Sequence, residues 1–364
     1  MKTFIRTIKV VLSVILMIII TALAYLYIQS PGKAQPITDS SGKEIPESIS
    51  VIEKWKIGGL DQYIIIRGSN KNNPVLLFLH GGPGSPEFAF FRAQNKSIEK
   101  YFTVIHWEQR GSGKSFSPDI PVNTMNVEQF ISDTIEITEL AKKKFNTDKI
   151  YLLGHSWGSL LGALTVKKRP DLYRAFIGVG QAVNLVESER VAWEWAIDMA
   201  RKDNNAEAVK ELENIGPGPF GVNEFSKKKT ELKWVIHFGG GMIHDTKGIY
   251  MKMLDMIVHT PEYTVMDKVN FFRGNQWSIE MMWDKLMKIN LFNSVNELPV
   301  PVFILQGDYD YQVSTPVVKK YFAVLKAPAK KYYAFRHSGH GTIFEEPEFF
   351  HKIMVEDVLG IKSK

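Results

Sequence analysis

Lys149-Ile150-Tyr151-Leu152-Leu153-Gly154-His155-Ser156-Trp157-Gly158 is a short apolar run that closes on the pattern G-x-S-x-G, and residues 159–168 after it carry a helical pattern. A strand that ends in this pattern and turns at once into a helix has the sequence form of a nucleophile elbow. The glycines follow from the geometry. The serine sits on a tight, strained turn, and its neighbours must be small for strand and helix to approach each other. The turn also sets Ser156 at a helix N-terminus, where the dipole favours a developing negative charge. Ser156 is the candidate nucleophile.

Outward from the elbow, strand-like and helical stretches alternate. Residues 62–67, 73–79, 102–107, 149–153 and 175–179 read as strands, and 127–145 and 159–168 as helices. This alternation predicts an α/β fold, a mostly parallel sheet with helices on both faces. From about 187 to 298 the strand signal stops and the chain is helix-rich, with Trp193, Trp195, Trp234, Trp277 and Trp283 in it. Strands return at 300–305 and 331–335, with a closing helix at 347–359. An inserted helical cap between two parts of one sheet is the simplest account. The division is therefore a core at 49–186, a cap at 187–298 and the rest of the core at 299–364. The cap tryptophans fit either a small helical core or a substrate-lining role.

A serine nucleophile needs a base and a residue to orient it, and on this fold the acid precedes the histidine, each after a late strand. Gly307-Asp308-Tyr309-Asp310 and Ser338-Gly339-His340-Gly341 meet the order. Asp308 and His337 are rivals. The G-x-x-D spacing favours Asp310, and the flanking glycines favour His340 as the tip of a reaching loop. His80-Gly81-Gly82-Pro83-Gly84 follows the 73–79 strand, where its glycines can aim amides at an oxyanion. The Gly82 amide and that of Trp157, next after the serine, are the expected donors, and His80 is expected to brace the loop. Gly111-Ser112-Gly113-Lys114-Ser115 looks like the tail of a phosphate loop, but the glycine that motif requires five residues before Gly113 is replaced by Glu108. No metal-ligand spacing is present and no cofactor is expected.

The N-terminus carries a different message. Residues 10–28 are uncharged and apolar apart from Ser13 and Thr21. As a helix this run spans about 28 Å, close to a bilayer's hydrocarbon thickness. Lys2, Arg6 and Lys9 precede it, so the positive-inside rule keeps the N-terminus in the cytoplasm and puts the catalytic part outside. Ala22-Leu23-Ala24 would suit cleavage of a signal peptide and secretion, but the apolar run continues past it, which favours a retained anchor at 1–28. Residues 29–48 are polar and read as a linker. With no cysteine, disulfides, thiol catalysis and a lipoprotein anchor are excluded. The net charge of +6 lies in short lysine clusters that suit solvated helix faces and weak attraction to anionic lipid, not nucleic-acid binding.

Taken together, HGGPG at 80–84, WEQRGSGKS at 107–115, GHSWGS at 154–159, and SGHG at 338–341 with EEPEFF at 345–350 resemble the prolyl aminopeptidase (proline iminopeptidase) branch of the α/β-hydrolases, over about 52–359. The resemblance implies a helical cap over a triad of Ser156, Asp310 and His340, with Gly82 and Trp157 as oxyanion donors. It further implies removal of an N-terminal residue, often proline, from short peptides through an acyl-enzyme. Two positions depart from the family pattern: His155 stands where glycine is usual, and Glu108 where aspartate is usual. Cap carboxylates hold the substrate's free amine in this family, and Glu194 is the candidate on chemistry, a surface glutamate being the other reading. The same triad would also serve a small ester or lactone, and a silent site kept for binding is the non-enzymatic alternative.

Overall fold

The structure, a computed structural model, describes residues 2–245 and 249–361. Residue 1 of the expected anchor, residues 246–248 of the expected cap and 362–364 of the second core segment lie outside the described residues. The sheet has eight strands in the order β1-β2-β4-β3-β5-β6-β7-β8. They are β1 (Ile49–Ile57), β2 (Leu60–Gly68), β3 (Val75–Leu79), β4 (Thr103–Trp107), β5 (Ile150–His155), β6 (Tyr173–Val179), β7 (Val302–Gly307) and β8 (Lys330–Phe335). β1 and β2 pair antiparallel with their neighbours, and from β4 to β8 all pairings are parallel. β3, β4 and β7 are buried at every position. Helices cover both faces, which is why these strands read as continuous apolar runs and not as alternating ones.

The helices are α1 (Lys2–Ile28), α2 (Phe88–Asn95), α3 (Val127–Phe145), α4 (Trp157–Lys168), α5 (Leu185–Lys202), α6 (Ala206–Ile215), α7 (Phe225–His237), α8 (Ile249–Val258), α9 (Val265–Leu286), α10 (Leu291–Ser294), α11 (Thr315–Val324), α12 (Thr342–Glu345) and α13 (Pro347–Lys352). α3 matches its pattern end to end. The Asn126 side chain accepts from the Gln129 amide at its start, and Asn146 closes it at φ 48°. α5 to α10 lie between β6 and β7. Ala192, Ala196 and Ala200 of α5 pack with Leu212 of α6 and Trp234 of α7, small residues letting the helices come close. Trp193 and Trp195 join this cluster, so they belong to the cap's own core. α9 instead lies on the sheet domain: Gly274 passes so near the Gly111 carbonyl that a Cβ there would sit 2.6 Å from its oxygen.

Three local expectations differ from the fold. The sequence pattern predicts no strand at 49–57, yet β1 forms there, joined to β2 through Gly58 and Gly59 at φ 53° and 78°. It is an edge strand with one solvated face, so charged residues interrupt its apolar signal. The seventh strand begins at Val302, two residues later than expected, after Pro299 and Pro301. The 29–48 stretch is docked rather than free. Ile37 is buried, and Arg67 donates to the Gln35 carbonyl at 2.8 Å. The same Arg67 pairs with Glu99 at 2.7 Å, and Glu262, between α8 and α9, pairs with Arg92 at 2.6 Å. Removing either partner of such a buried pair leaves an uncompensated charge, so the α8–α9 corner is firmly rooted on the core.

Candidate active site

Ser156 occupies the turn between β5 and α4 at φ 55°, ψ −121°, a conformation that costs a non-glycine residue about 1–3 kcal/mol. The surroundings hold it there. The Ser156 amide donates to the Val179 carbonyl at 2.9 Å. A Cβ on Gly158 would lie 2.0 Å from the Leu79 oxygen, and one on Gly154 would lie 2.2 Å from the Gly158 oxygen. Only glycine fits at either place, so the G-x-S-x-G pattern records two close backbone approaches.

His340 and Asp310 reach the same place from two other loops. His340 Nδ1 donates to Asp310 Oδ2 at 2.8 Å, which leaves Nε2 as the nitrogen able to take a proton. Asp310 is fully buried and also accepts from Gln306 Nε2 at 2.7 Å and the Gln312 amide at 3.0 Å. Burial alone would raise its pKa; the neighbouring His340 and these donors more than offset that and hold the carboxyl below its usual value. The rivals lie elsewhere: Asp308 pairs with Lys319 at 3.4 Å, and His337 is exposed. The acid loop is locked to the cap as well. Ser188 Oγ donates to the Val313 carbonyl at 2.7 Å, and Ser314 Oγ donates to the Ser188 carbonyl at 2.6 Å.

Ser156, His340, Gly82 and Trp157 all line one cavity of about 650 Å³ beneath the cap. Gly82, at φ 110°, lies in the loop after β3, and Trp157 is the first residue of α4. His80 does not line the cavity. Its ring meets the Gly81 carbonyl at 2.8 Å and Ser112 Oγ at 3.0 Å, and accepts from the Gln109 amide at 3.1 Å. Burial depresses its pKa to about 4, so it is a neutral brace. Gln109 also donates to the His80 carbonyl at 3.0 Å and accepts from Trp157 Nε1 at 3.0 Å. The WEQRGSGKS stretch thus holds the glycine loop and the elbow together. Its Lys114 pairs with Asp267 at 2.5 Å and is not presented to a phosphate.

Of the two positions that depart from the family pattern, His155 is built into the site. His155 Nδ1 lies 2.6 Å from Glu87 Oε1, and Nε2 donates to the His340 carbonyl at 3.0 Å. Its ring centroid is 4.8 Å from that of His340. Burial disfavours the imidazolium, but Glu87 and the carbonyl outweigh it and raise the pKa above the ordinary histidine value. Glu87 Oε2 is buried and has no hydrogen-bond partner among the described residues. Glu87 carries no sequence signal, because only the fold brings it to His155.

The expected amine-holding Glu194 lies on the solvent face of α5, paired with Arg190, and does not line the cavity. Helix phase gives the reason. Five residues turn a helix about 140° past one full revolution, so Glu194 and the cavity-lining Glu189 face different sides. The carboxylates that line the cavity are Glu87, Glu189 and Glu231, with Lys228 among them. Lys228 Nζ is 3.1 Å from Glu189 Oε1 and 2.5 Å from Glu231 Oε2. Burial pushes Glu231 above the usual carboxylate value, and Glu231 Oε1 has no hydrogen-bond partner among the described residues. Of the five cap tryptophans only Trp283 lines the cavity, and Trp277 packs on the core of the sheet domain.

A profile of the alpha/beta hydrolase fold matches residues 74–347. A Bacillus subtilis (strain 168) protein named Probable aminopeptidase YbaC is 34% identical over 314 residues, covering 84% of this chain and 96% of its own. A proline iminopeptidase of Heyndrickxia coagulans is 24% identical over 77% of this chain and 88% of its own length. Among solved structures, a proline iminopeptidase-related protein from Thermus thermophilus superposes with a TM-score of 0.61 at 18% identity, covering 86% of this chain and 98% of that one.

Proposed function

Because the chain belongs to the α/β-hydrolase family, in its prolyl aminopeptidase-like branch, we propose that it is a serine aminopeptidase acting through an acyl-enzyme. The observation that carries this reading is the Asp310–His340 pair, assembled from two separate loops beside the cavity that Ser156 lines. Ser156 attacks the carbonyl of a substrate's first residue, and His340 Nε2 takes its proton. Asp310 keeps the imidazole in the tautomer with Nδ1–H and steadies the imidazolium. The tetrahedral anion forms between the Gly82 and Trp157 amides at the start of α4, where amides and helix dipole both oppose the new charge. His340 returns the proton to the leaving amine, and water then cleaves the acyl-enzyme by the same relay.

The free α-amine of the substrate is assigned to Glu189 and Glu231. Two carboxylates with one lysine leave surplus negative charge and an unused carboxylate oxygen inside the cavity, which suits an ammonium group. That charge favours aminoacyl amides over neutral esters and lactones. The substrates are N-terminal residues of short peptides, proline among them.

α1 is read as a retained membrane anchor with the N-terminus inside. An 18-residue window of its Arg6–Ile28 stretch has a mean hydropathy of 2.6, and none of that window is buried. Two measurements test the catalytic reading. A fluorophosphonate should label the full chain and fail on Ser156→Ala. Prolyl and other aminoacyl anilides should be cut faster than short acyl esters. A labelled chain that cuts esters alone would reassign the substrate, and an unlabelled one would leave a binding protein.

A further inference from the structure

α1 does not leave the rest of the protein on a loose tether. Tyr25 Oη meets His259 Nε2 at 2.7 Å, just past the end of α8. The Lys268 ammonium of α9 donates to the Gln29 carbonyl at 3.0 Å and to Ser30 Oγ at 2.7 Å. The Lys33 amide donates to the Pro261 carbonyl at 3.1 Å, and Pro31 bridges to Thr264. The end of α1 is thus fastened to the α8–α9 corner, and Glu262 in that corner is fastened to the core through Arg92.

The faces beside the corner expose several large apolar side chains, with Lys252 and Asp255 beside them on α8 and Arg273 on α9. Met251 and Leu254 on α8, and Met266, Val269 and Phe272 on α9, are each between 42% and 70% exposed. On each helix they follow at intervals of three, so they form stripes and not scattered residues. Leu254 and Phe272 also line the catalytic cavity, so its rim lies in this patch. A soluble surface rarely gathers so many large apolar side chains around one opening. The occupant is identified by what the corner holds. A helix long and apolar enough to cross a bilayer ends there, so when it spans, its exit point sets the corner, and both stripes with it, against the lipid.

We infer that the α8–α9 face of the cap rests on the bilayer in which α1 is anchored, and that the cavity opens at the lipid surface to aminoacyl amides or peptides carrying a long apolar chain. The inference rests on the anchor reading of α1. It needs no new chemistry at Ser156, only a leaving group delivered from the membrane.

The absence of native cysteine makes the test direct. Ile18→Cys, Met266→Cys, Val269→Cys and, as an exposed site on α6 outside both stripes, Glu213→Cys are each spin-labelled in the full chain, reconstituted in vesicles of phosphatidylethanolamine and phosphatidylglycerol. Relative accessibility to oxygen over a water-soluble nickel complex should be roughly fivefold higher at 266 and 269 than at 213, and highest at 18. An aqueous reading at 18 overturns the anchor and the inference together. A lipid reading at 18 with aqueous readings at 266 and 269 leaves the anchor standing and overturns the inference alone. In a second arm, the double variant Met266→Glu/Val269→Glu should cut a soluble aminoacyl anilide in detergent at the wild-type rate. Its rate on an aminoacyl amide of a long-chain amine held in vesicles should fall roughly tenfold. Equal rates of variant and wild type on the vesicle-held substrate overturn the proposal.

Discussion

Glu231→Gln offers a quantitative test of amine recognition. The side chain keeps its shape and loses its charge, so Lys228, now flanked by Glu189 alone, cancels the charge that a substrate ammonium would meet. Two unit charges about 5 Å apart interact by roughly 3 kcal/mol at an effective dielectric of about 20. Water in the open cavity and the freed Lys228 reduce this to about 2 kcal/mol, or roughly a 30-fold fall in kcat/KM at about 1.4 kcal/mol per factor of ten. The fall should be confined to substrates bearing the ammonium. Paired assays of prolyl-p-nitroanilide and p-nitrophenyl acetate measure the difference, and circular dichroism melts register any general loosening. An equal loss on both substrates, or none on the anilide, refutes the assignment of Glu189 and Glu231 to the amine.

Asp310→Asn should keep the fold and lower kcat by about 10³ to 10⁴, since an amide at that position favours the wrong imidazole tautomer; steady-state kinetics on the anilide reads it. Glu87→Gln should destabilise the protein most at low pH. His155 has a raised pKa in the folded state, so the stability it contributes is fully present below about 6.5 and is lost as pH rises through the folded value. The gap in melting temperature between wild type and Glu87→Gln should therefore be wide near pH 6 and narrow in alkali, and a gap that widens with pH contradicts the pairing. Gly158→Ala would place a Cβ 2.0 Å from the Leu79 oxygen, a backbone atom that cannot move aside. It should cost more than about 2 kcal/mol, read as a lost or strongly lowered unfolding midpoint in urea.

What the sequence made legible was local. β5, the elbow and α4 adjoin in the chain, and the two glycines are dictated by contacts within a few residues or with the neighbouring strand end. The acid and histidine loops could be placed because each follows an apolar strand and carries glycine. β1 escaped because Glu53, Lys54 and Lys56 break its pattern on an edge whose outer face needs no apolar residue. Residue type alone cannot tell Glu194 from Glu189, because it says nothing of helix phase until the packed face is known. Glu87 with His155, and Lys228 between two glutamates, come from tertiary meetings that leave no trace in spacing. His155 stood out only as a departure from pattern.

The reciprocal hydrogen bonds between Ser188 and the 313–314 backbone and hydroxyl have a consequence for product length. Glu189 is the next residue along α5, and Asp310 heads the loop those bonds hold. On the aminopeptidase reading, the anchor for the amine and the machinery for the carbonyl are therefore two marks on one gauge. A gauge of fixed span admits one residue between its marks. Release of dipeptides would need the gauge lengthened, so cutting the Ser188–Ser314 link should blur single-residue trimming before it abolishes turnover.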